Sequence, residues 1–103
     1  MRVEWMPLAK EAVRDTAKYI RKEFGKQYRD NFMREVREAN FLISDNPYAG
    51  KIEPLLEDDP DMYRSFVVAR LNKMVYRILD DHIEVDDFWD CRRDPDALID
   101  RLK

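Results

Sequence analysis

The sequence is poor in the residues on which several classes of function depend. Its 103 residues include one cysteine, one histidine and two glycines. A single cysteine, Cys91, excludes a disulfide framework and a cysteine-rich zinc site, and it indicates a reducing, cytoplasmic setting. His82 has no second histidine at metal-ligand spacing, so we expect no bound metal. Gly25 and Gly50 fall near the ends of predicted helices, which excludes a glycine-rich phosphate loop, and we expect no cofactor.

Long apolar runs are also missing. No stretch approaches the roughly 20 residues of a membrane span, and the N-terminus contains no apolar signal-peptide core, so we expect neither a membrane segment nor an export signal. The formal charge of −3 argues against a generally basic nucleic-acid binder. That total hides an asymmetry, because residues 1–40 carry 10 basic and 7 acidic side chains, whereas residues 41–103 carry 9 and 15.

The chain does have enough apolar surface for one core. With 45% hydrophobic and 12% aromatic residues, it is expected to form a single domain over residues 1–103. Val3 and Trp5 alternate with charged residues, which predicts a short first strand. Apolar residues then recur every three or four positions over 8–24 and 26–44, which predicts two amphipathic helices. Because only a residue or two separates them, they should fold back as an antiparallel hairpin.

The outward face of the first predicted helix carries charges of both signs. Its basic members are Lys10, Arg14, Lys18, Arg21 and Lys22, and its acidic members are Glu11, Asp15 and Glu23. Mixed charge on a helix is typical of a solvated surface, and a charged partner surface is the alternative.

The second half of the chain changes to a period of two. A polar, proline-punctuated connection fills 51–61. Alternating patterns then predict three strands, over 63–69, 73–79 and 83–89. Asp94-Pro95 suits the start of a short C-terminal helix. The predicted fold class is α+β: an N-terminal strand, an antiparallel helical hairpin packed on a mainly antiparallel sheet of three to four strands, and a short C-terminal helix. The other sheet face must be covered by the last helix, a partner or water.

Basic side chains of this half lie on and beside the predicted strands. They are Arg64, Arg70, Lys73, Arg77, Arg92 and Arg93, and we call them the strand cations. On adjacent antiparallel strands such side chains can converge on one patch, where arginine holds a phosphate or a carboxylate by two parallel hydrogen bonds. The alternative is that they only neutralise the acidic residues around them. The spacing leaves both possibilities open.

Several short motifs occur together in a recognisable order. The chain opens with Val3, Trp5, Pro7 and Ala9, and continues with Phe24-Gly25, Asn46-Pro47-Tyr48-Ala49-Gly50, Tyr63-Arg64-Ser65, Val75-Tyr76-Arg77-Ile78 and Phe88-Trp89-Asp90-Cys91-Arg92-Arg93. In this order and spacing, the sequence resembles the RelE/ParE superfamily of type II toxin–antitoxin toxins, also called plasmid-stabilisation proteins. The resemblance covers nearly the whole chain, and the family fold agrees with the fold predicted from periodicity.

The resemblance implies a growth-inhibiting toxin that a cognate antitoxin wraps and blocks. Such toxins reach DNA only indirectly, through the DNA-binding part of the antitoxin. RelE-like members are ribosome-dependent mRNA endonucleases that use basic side chains instead of a metal. ParE-like members bind DNA gyrase and are not hydrolases. A degenerate toxin that only binds its antitoxin is a third possibility.

Carried over by position, the nuclease pattern is incomplete. Arg64, Lys73 and Arg92 match its basic positions. Phe66 stands where the nuclease pattern has a second strand lysine, and Leu98 stands where it has a C-terminal tyrosine. Each replacement is expected to lower the rate of RNA cleavage by about 10²-fold or more. The long hairpin and the acidic net charge also suit the ParE-like branch, so gyrase is the expected target and the ribosome the alternative. The residues expected to bind the target or the antitoxin are Arg64, Arg70, Arg77, Trp89, Arg92 and Arg93.

Asp86 and Asp87 depart from the family pattern, because apolar residues are more usual in this part of the third predicted strand. Either the strand bulges there and exposes both carboxylates, or the surface near Trp89 is acidic. The sequence does not distinguish the two.

Overall fold

The helical hairpin begins at a proline and turns at a glycine. The computed structural model describes residues 1–90, so the C-terminal helix predicted at Asp94 lies outside the described residues. Helix α1 runs over Pro7–Phe24 and helix α2 over Lys26–Asp45. Gly25, between them, has a φ of 99°, which residues with a Cβ rarely adopt. Neither α1 nor α2 has the apolar length that a bilayer-spanning helix needs.

Five strands form one sheet. They are β1 (Arg2–Trp5), β2 (Lys51–Ile52), β3 (Arg64–Val68), β4 (Asn72–Ile78) and β5 (His82–Asp90). Their order is β1-β5-β4-β3-β2, with β1 parallel to β5 and all other neighbours antiparallel. The mainly antiparallel sheet is confirmed, but β2 adds a strand inside the segment predicted as a connection. Two residues are too few for a period of two to show in a sequence.

The two faces of the sheet carry different cores. Met74, Tyr76 and Val85 face the hairpin and pack in the main core with helical residues that include Phe32 and Ile43. The opposite face holds a smaller second core, formed by Leu56, Tyr63, Val75 and Trp89. The connection between β2 and β3 supplies part of this second core. The chain itself therefore covers part of the face that was expected to need the last helix, a partner or water.

Candidate functional site

The strand cations within residues 1–90 do not share one patch. Side chains alternate across a strand, so Arg64 on β3 lies on the hairpin side of the sheet, whereas Lys73 and Arg77 on β4 lie on the opposite side. Arg64 Nη1 donates a hydrogen bond to the Gly50 carbonyl at 2.8 Å. Its guanidinium also lies 4.8 Å from the centroid of the Tyr48 ring. The structure thus separates Arg64 from the cations of β4.

Lys73 is held in a buried ion pair. Its Nζ lies 2.6 Å from Oε1 of Glu53, whose side chain is 1% exposed, against 15% for Lys73. Burial by itself raises the pKa of Glu53, but the Lys73 ammonium, the Ser65 hydroxyl and the Leu55 N–H together hold this pKa below its ordinary value. Lys73 is therefore neutralised within the fold, and a partner's phosphate or carboxylate must displace Glu53 to reach it.

Arg77 is surrounded by acidic side chains. Its Nη2 lies 2.9 Å from Oε1 of Glu84, which is directly opposite on β5. Its Nη1 and Nε each lie 3.4 Å from a further carboxylate oxygen, one of Asp61 and one of Asp86. Lys73 and Arg77 therefore neutralise neighbouring acids. This is the alternative to a shared cationic patch that the sequence left open.

The two aspartates of β5 lie at a bulge and are buried. A register shift in the β4–β5 pairing leaves Asp86 as the extra residue. Asp87 is fully buried and Asp86 nearly so. The bulge is therefore present, but it does not expose the carboxylates, because Asp86 packs against Arg77 under the connection between β2 and β3.

Burial also changes the charge of Asp86. Desolvation, together with the hydrogen bond to Glu84 and the charge of that carboxylate, raises the pKa of Asp86 to about 8. The hydrogen bond with Asp86, and the ion pair with Arg77, lower the pKa of Glu84. At neutral pH the two carboxyl groups therefore share one proton, which resides on Asp86.

The remaining predicted site residues differ in accessibility. Arg70 is exposed in the turn between β3 and β4. Trp89 is 1% exposed because its ring belongs to the second core. Arg92 and Arg93 lie outside the described residues. Within residues 1–90, Arg64 and Arg70 are the strand cations with no carboxylate within 4.0 Å.

His82 lies between two carboxylate side chains. Its Nδ1 lies 2.6 Å from Asp81 Oδ1, and its Nε2 lies 3.3 Å from Glu4 Oε2. No group of three or more His, Cys, Asp or Glu side chains in the described part of the chain is placed to hold a metal ion.

A groove with basic walls lies between the two helices. Its volume is about 700 Å³. Its basic side chains are Lys10, Arg14, Lys18, Arg21, Arg29 and Arg37. Its apolar side chains are Trp5, Val13, Ala17, Met33 and Val36. Asp30 is the one acidic residue of the lining, so the six cations leave a net charge of +5. We call this feature the cationic groove.

Most cations of the groove have no ion pair. Arg29 Nε lies 2.8 Å from Asp30 Oδ1, whereas no carboxylate of the described residues lies within 4.0 Å of the other five. The acids Glu11, Asp15 and Glu23 of α1 lie outside the groove lining. The surface of mixed charge predicted for α1 is therefore divided: four of its five basic residues line the groove, whereas Lys22 and the three acids do not.

Exposed aromatic rings cluster at the tip of the hairpin. Tyr19, Phe24 and Tyr28 are 57%, 61% and 64% exposed. The centroid of the Phe24 ring lies 6.5 Å from that of Tyr19 and 6.1 Å from that of Tyr28. Contiguous exposed apolar surface of this kind is typical of protein-contact sites.

Comparison with known proteins finds one family model and related folds. The model described as ParE toxin of type II toxin-antitoxin system, parDE, matches residues 3–95. The chain is also similar to a solved structure of a chromosomal ParDE TA system from P. aeruginosa, with a TM-score of 0.72 and 13% sequence identity. That match covers 87% of this chain and 95% of the other. At such low identity it shows the fold alone. No curated protein matches the sequence.

Proposed function

Because this chain belongs to the ParE toxin family of type II toxin–antitoxin systems, we propose that it inhibits growth by binding DNA gyrase and is neutralised by a cognate antitoxin. The family match supports a toxin and an antitoxin partner. Gyrase as the target, and the cytoplasm as the place of action, are our inferences from the residues. DNA is reached only through the antitoxin.

The environment of Lys73 is the observation that favours gyrase over mRNA. In a nuclease, Lys73 is the residue expected to stabilise the transition-state phosphate, with Arg64 and Arg92 nearby. Here its Nζ lies 2.6 Å from Glu53, on the sheet face opposite Arg64. A cation that a buried carboxylate already neutralises stabilises developing phosphate charge poorly. Two cations on opposite faces of a sheet also do not contact the same phosphate. This arrangement supports a toxin that binds its target.

The accessible side chains also suit a protein target. We assign contact with the target or the antitoxin to Arg64 and Arg70, and to Arg92 and Arg93 beyond the described residues. Arg77 and Trp89 are enclosed, so they would support this surface from within. The aromatic rings at the hairpin tip add exposed area of the kind that protein contacts use.

The test is a gyrase assay with the purified chain. We expect inhibition of supercoiling, with accumulation of gyrase-dependent DNA breaks, and reversal when the antitoxin is added. In cells, expression should induce DNA-damage signalling while transcripts stay intact. Cuts mapping to translated codons, with gyrase unaffected, would replace this proposal by the nuclease. Antitoxin binding without growth inhibition would identify a degenerate toxin.

Two arginine variants test the assigned contacts. Arg64→Ala and Arg92→Ala are expected to relieve toxicity while the fold, measured by circular dichroism and thermal unfolding, stays intact. Lys51→Ala is the matched control, because Lys51 is an exposed cation on the strand beside Arg64. If both arginine variants stay fully toxic, the assignment is wrong even where the gyrase assay succeeds.

A further inference from the structure

We propose that the tip of the helical hairpin, residues 19–28, is the part of the toxin that inserts into gyrase, in a pocket with an apolar floor and an acidic rim. This inference rests on the proposed function for the existence of that target, and it adds the surface of contact and its chemistry. The tip projects beyond the core, its exposed rings are already packed together, and its charge is positive.

The two helices extend past the sheet at the tip. Ile20 is the last hydrophobic residue of α1 that packs in the main core, and Phe32 is the first of α2. At 1.5 Å per residue, α1 and α2 therefore continue for about 6–9 Å beyond these core contacts. An element that projects in this way fits a concave partner surface better than a flat one.

The aromatic rings of the tip are arranged before any partner binds. The Phe24 ring meets that of Tyr19 at an interplanar angle of 79° and that of Tyr28 at 55°. Neither tyrosine hydroxyl has a hydrogen-bond partner among residues 1–90, so both are available to a partner. Rings that already restrain one another lose less side-chain entropy on binding. Exposed aromatic anchors of this kind dominate the energetics of protein interfaces.

Positive charge surrounds these rings. Within 19–28, the basic residues Arg21, Lys22 and Lys26 outnumber the single acid Glu23, which gives a net charge of +2. Arg21 and Lys22 have no carboxylate of the described residues within 4.0 Å, and Lys26 has one, Asp30, at 3.7 Å on the exposed surface. An apolar centre with cations at its edge is complementary to an apolar pocket whose rim carries carboxylates.

Other partners match the tip less well. A single-stranded nucleic acid stacks its bases on ring faces, but the three rings pack at steep angles to one another and present no parallel series of faces. A second copy offers an acidic groove at Glu35 and Glu38, but a contact between this groove and the tip joins unlike surfaces and does not close into a dimer. An antitoxin segment that folds on binding occupies a groove and does not enclose a projecting tip. Gyrase, as a folded target, can offer a preformed pocket.

The first test compares matched truncations of two exposed phenylalanines. Phe24→Ala alters the tip, whereas Phe41→Ala removes a similarly exposed ring near the other end of α2. Binding of the full-length chain to purified gyrase and inhibition of supercoiling are measured for each. We expect Phe24→Ala to raise the Kd and the half-inhibitory concentration on the order of tenfold or more. Phe24→Ala/Tyr28→Ala should raise both further, and Phe41→Ala should change them little, with circular dichroism unaltered throughout.

A charge reversal tests the acidic rim. Lys22→Glu lies in the tip, and Lys10→Glu makes the same charge change near the other end of α1. We expect Lys22→Glu to slow association with gyrase and to reduce its dependence on salt, because steering by opposite charges is lost. Lys10→Glu should leave the association rate nearly unchanged. Equal rates for the two variants would overturn the proposed acidic rim.

A photo-crosslinker locates the contact independently of affinity. Benzoylphenylalanine in place of Tyr28 should crosslink to gyrase, whereas the same group in place of Phe41 should not. Full inhibition by Phe24→Ala/Tyr28→Ala, or crosslinking from position 28 only to the antitoxin or to a second copy, would overturn the tip as the contact while leaving the proposed function standing. An unaltered chain that neither binds nor inhibits gyrase would overturn both.

Discussion

At the scale of single residues, Asp86 shows how burial sets charge. Its carboxyl group lies at a bulge beside Glu84, where there is little water to solvate a second negative charge. Arg77 stabilises the carboxylate of Glu84 more strongly than that of Asp86, because it lies 2.9 Å from Glu84 and 3.4 Å from Asp86. The proton on Asp86 is therefore part of the folded structure at neutral pH.

This proton makes stability depend on pH. The folded pKa of Asp86 is about 8, well above its ordinary value of 3.8. Below pH 3.8 both states hold the proton, and between the two values only the folded state does, so the free energy of unfolding should fall as pH rises from about 4 to 8. The lowered pKa of Glu84 acts below pH 4.5, outside most of this window.

Urea unfolding at a series of pH values checks this prediction. Asp86→Asn keeps a hydrogen-bond donor toward Glu84 without a titrating proton, so it should flatten the decline and be more stable than the unaltered chain at pH 8. Asp58→Asn removes an exposed carboxylate from the connection between β2 and β3 and should leave the slope unchanged. Parallel pH profiles for the unaltered chain and Asp86→Asn would contradict the assignment.

At position 50 the fold requires glycine because there is no room for a side chain. Its φ of −81° is open to any residue, but a Cβ there would lie 2.6 Å from Tyr76 Oη and 2.7 Å from the Ser65 carbonyl oxygen. The Tyr76 hydroxyl is not free to move, since it accepts from the Gly50 N–H at 2.9 Å and donates to the Pro47 carbonyl at 2.7 Å. Gly50→Ala should destabilise the fold by about 2 kcal/mol.

The control for Gly50→Ala is the other glycine. A Cβ at Gly25 would meet no atom within 4 Å, so Gly25→Ala should lose stability only through its backbone, whose φ of 99° and ψ of 175° are almost confined to glycine, by about 1–3 kcal/mol. Adding Tyr76→Phe to Gly50→Ala removes the contact with the hydroxyl oxygen but leaves those with the Ser65 carbonyl oxygen and, at 2.9 Å, with the ring carbon Cε1, so it should restore only part of the stability. Chemical denaturation of the three variants measures each difference, and a Gly50→Ala variant as stable as the unaltered chain would refute the steric explanation.

At the scale of elements, the Lys73–Glu53 pair ties β4 to the connection between β2 and β3. Lys73→Met would leave Glu53 buried without its cation, which should destabilise the fold by about 3 kcal/mol. Lys73→Met/Glu53→Leu removes both charges and should recover most of that loss. Because we assign Lys73 a structural role, the folded double variant should remain toxic. A stable but harmless double variant would indicate that the Lys73 ammonium acts on the target, as in the nuclease.

The elements also show which parts of the fold a sequence can predict. The helices and the three long strands were predictable, because their apolar residues repeat over several turns or alternations. The two-residue strand Lys51–Ile52 was not predictable, because it forms only by pairing with β3. The burial of Glu53 was not predictable either, because it depends on Lys73, which is distant in sequence. The row of basic residues from Lys10 to Arg21 could have been found from their spacing. That these residues line a groove without the acids of α1 could not, because it depends on where α2 packs.

At the scale of the whole molecule, charge is divided between the two halves of the fold. In the sheet half, carboxylates surround Lys73 and Arg77. On the helical hairpin, five of the six cations of the groove have no carboxylate of the described residues within 4.0 Å. Like charges spaced four apart on a helix lower stability by about 0.2–0.5 kcal/mol for each pair. The cationic groove is therefore unfavourable for the isolated chain, and that burden is expected where a surface serves a partner.

Removing this repulsion should stabilise the free chain. Lys18→Glu replaces repulsion with attraction toward Arg14 and Arg21, so the free energy of unfolding should rise by roughly 1 kcal/mol at low salt. Lys22→Glu should raise the free energy of unfolding less, because a cation in the last turn of α1 is favoured by the helix dipole.

Unfolding in 0.05 M and 0.5 M salt separates this effect from changes in packing, because screening should reduce a stability gain of electrostatic origin. A Lys18→Glu variant no more stable than the unaltered chain at low salt would show that the groove cations do not strain the hairpin.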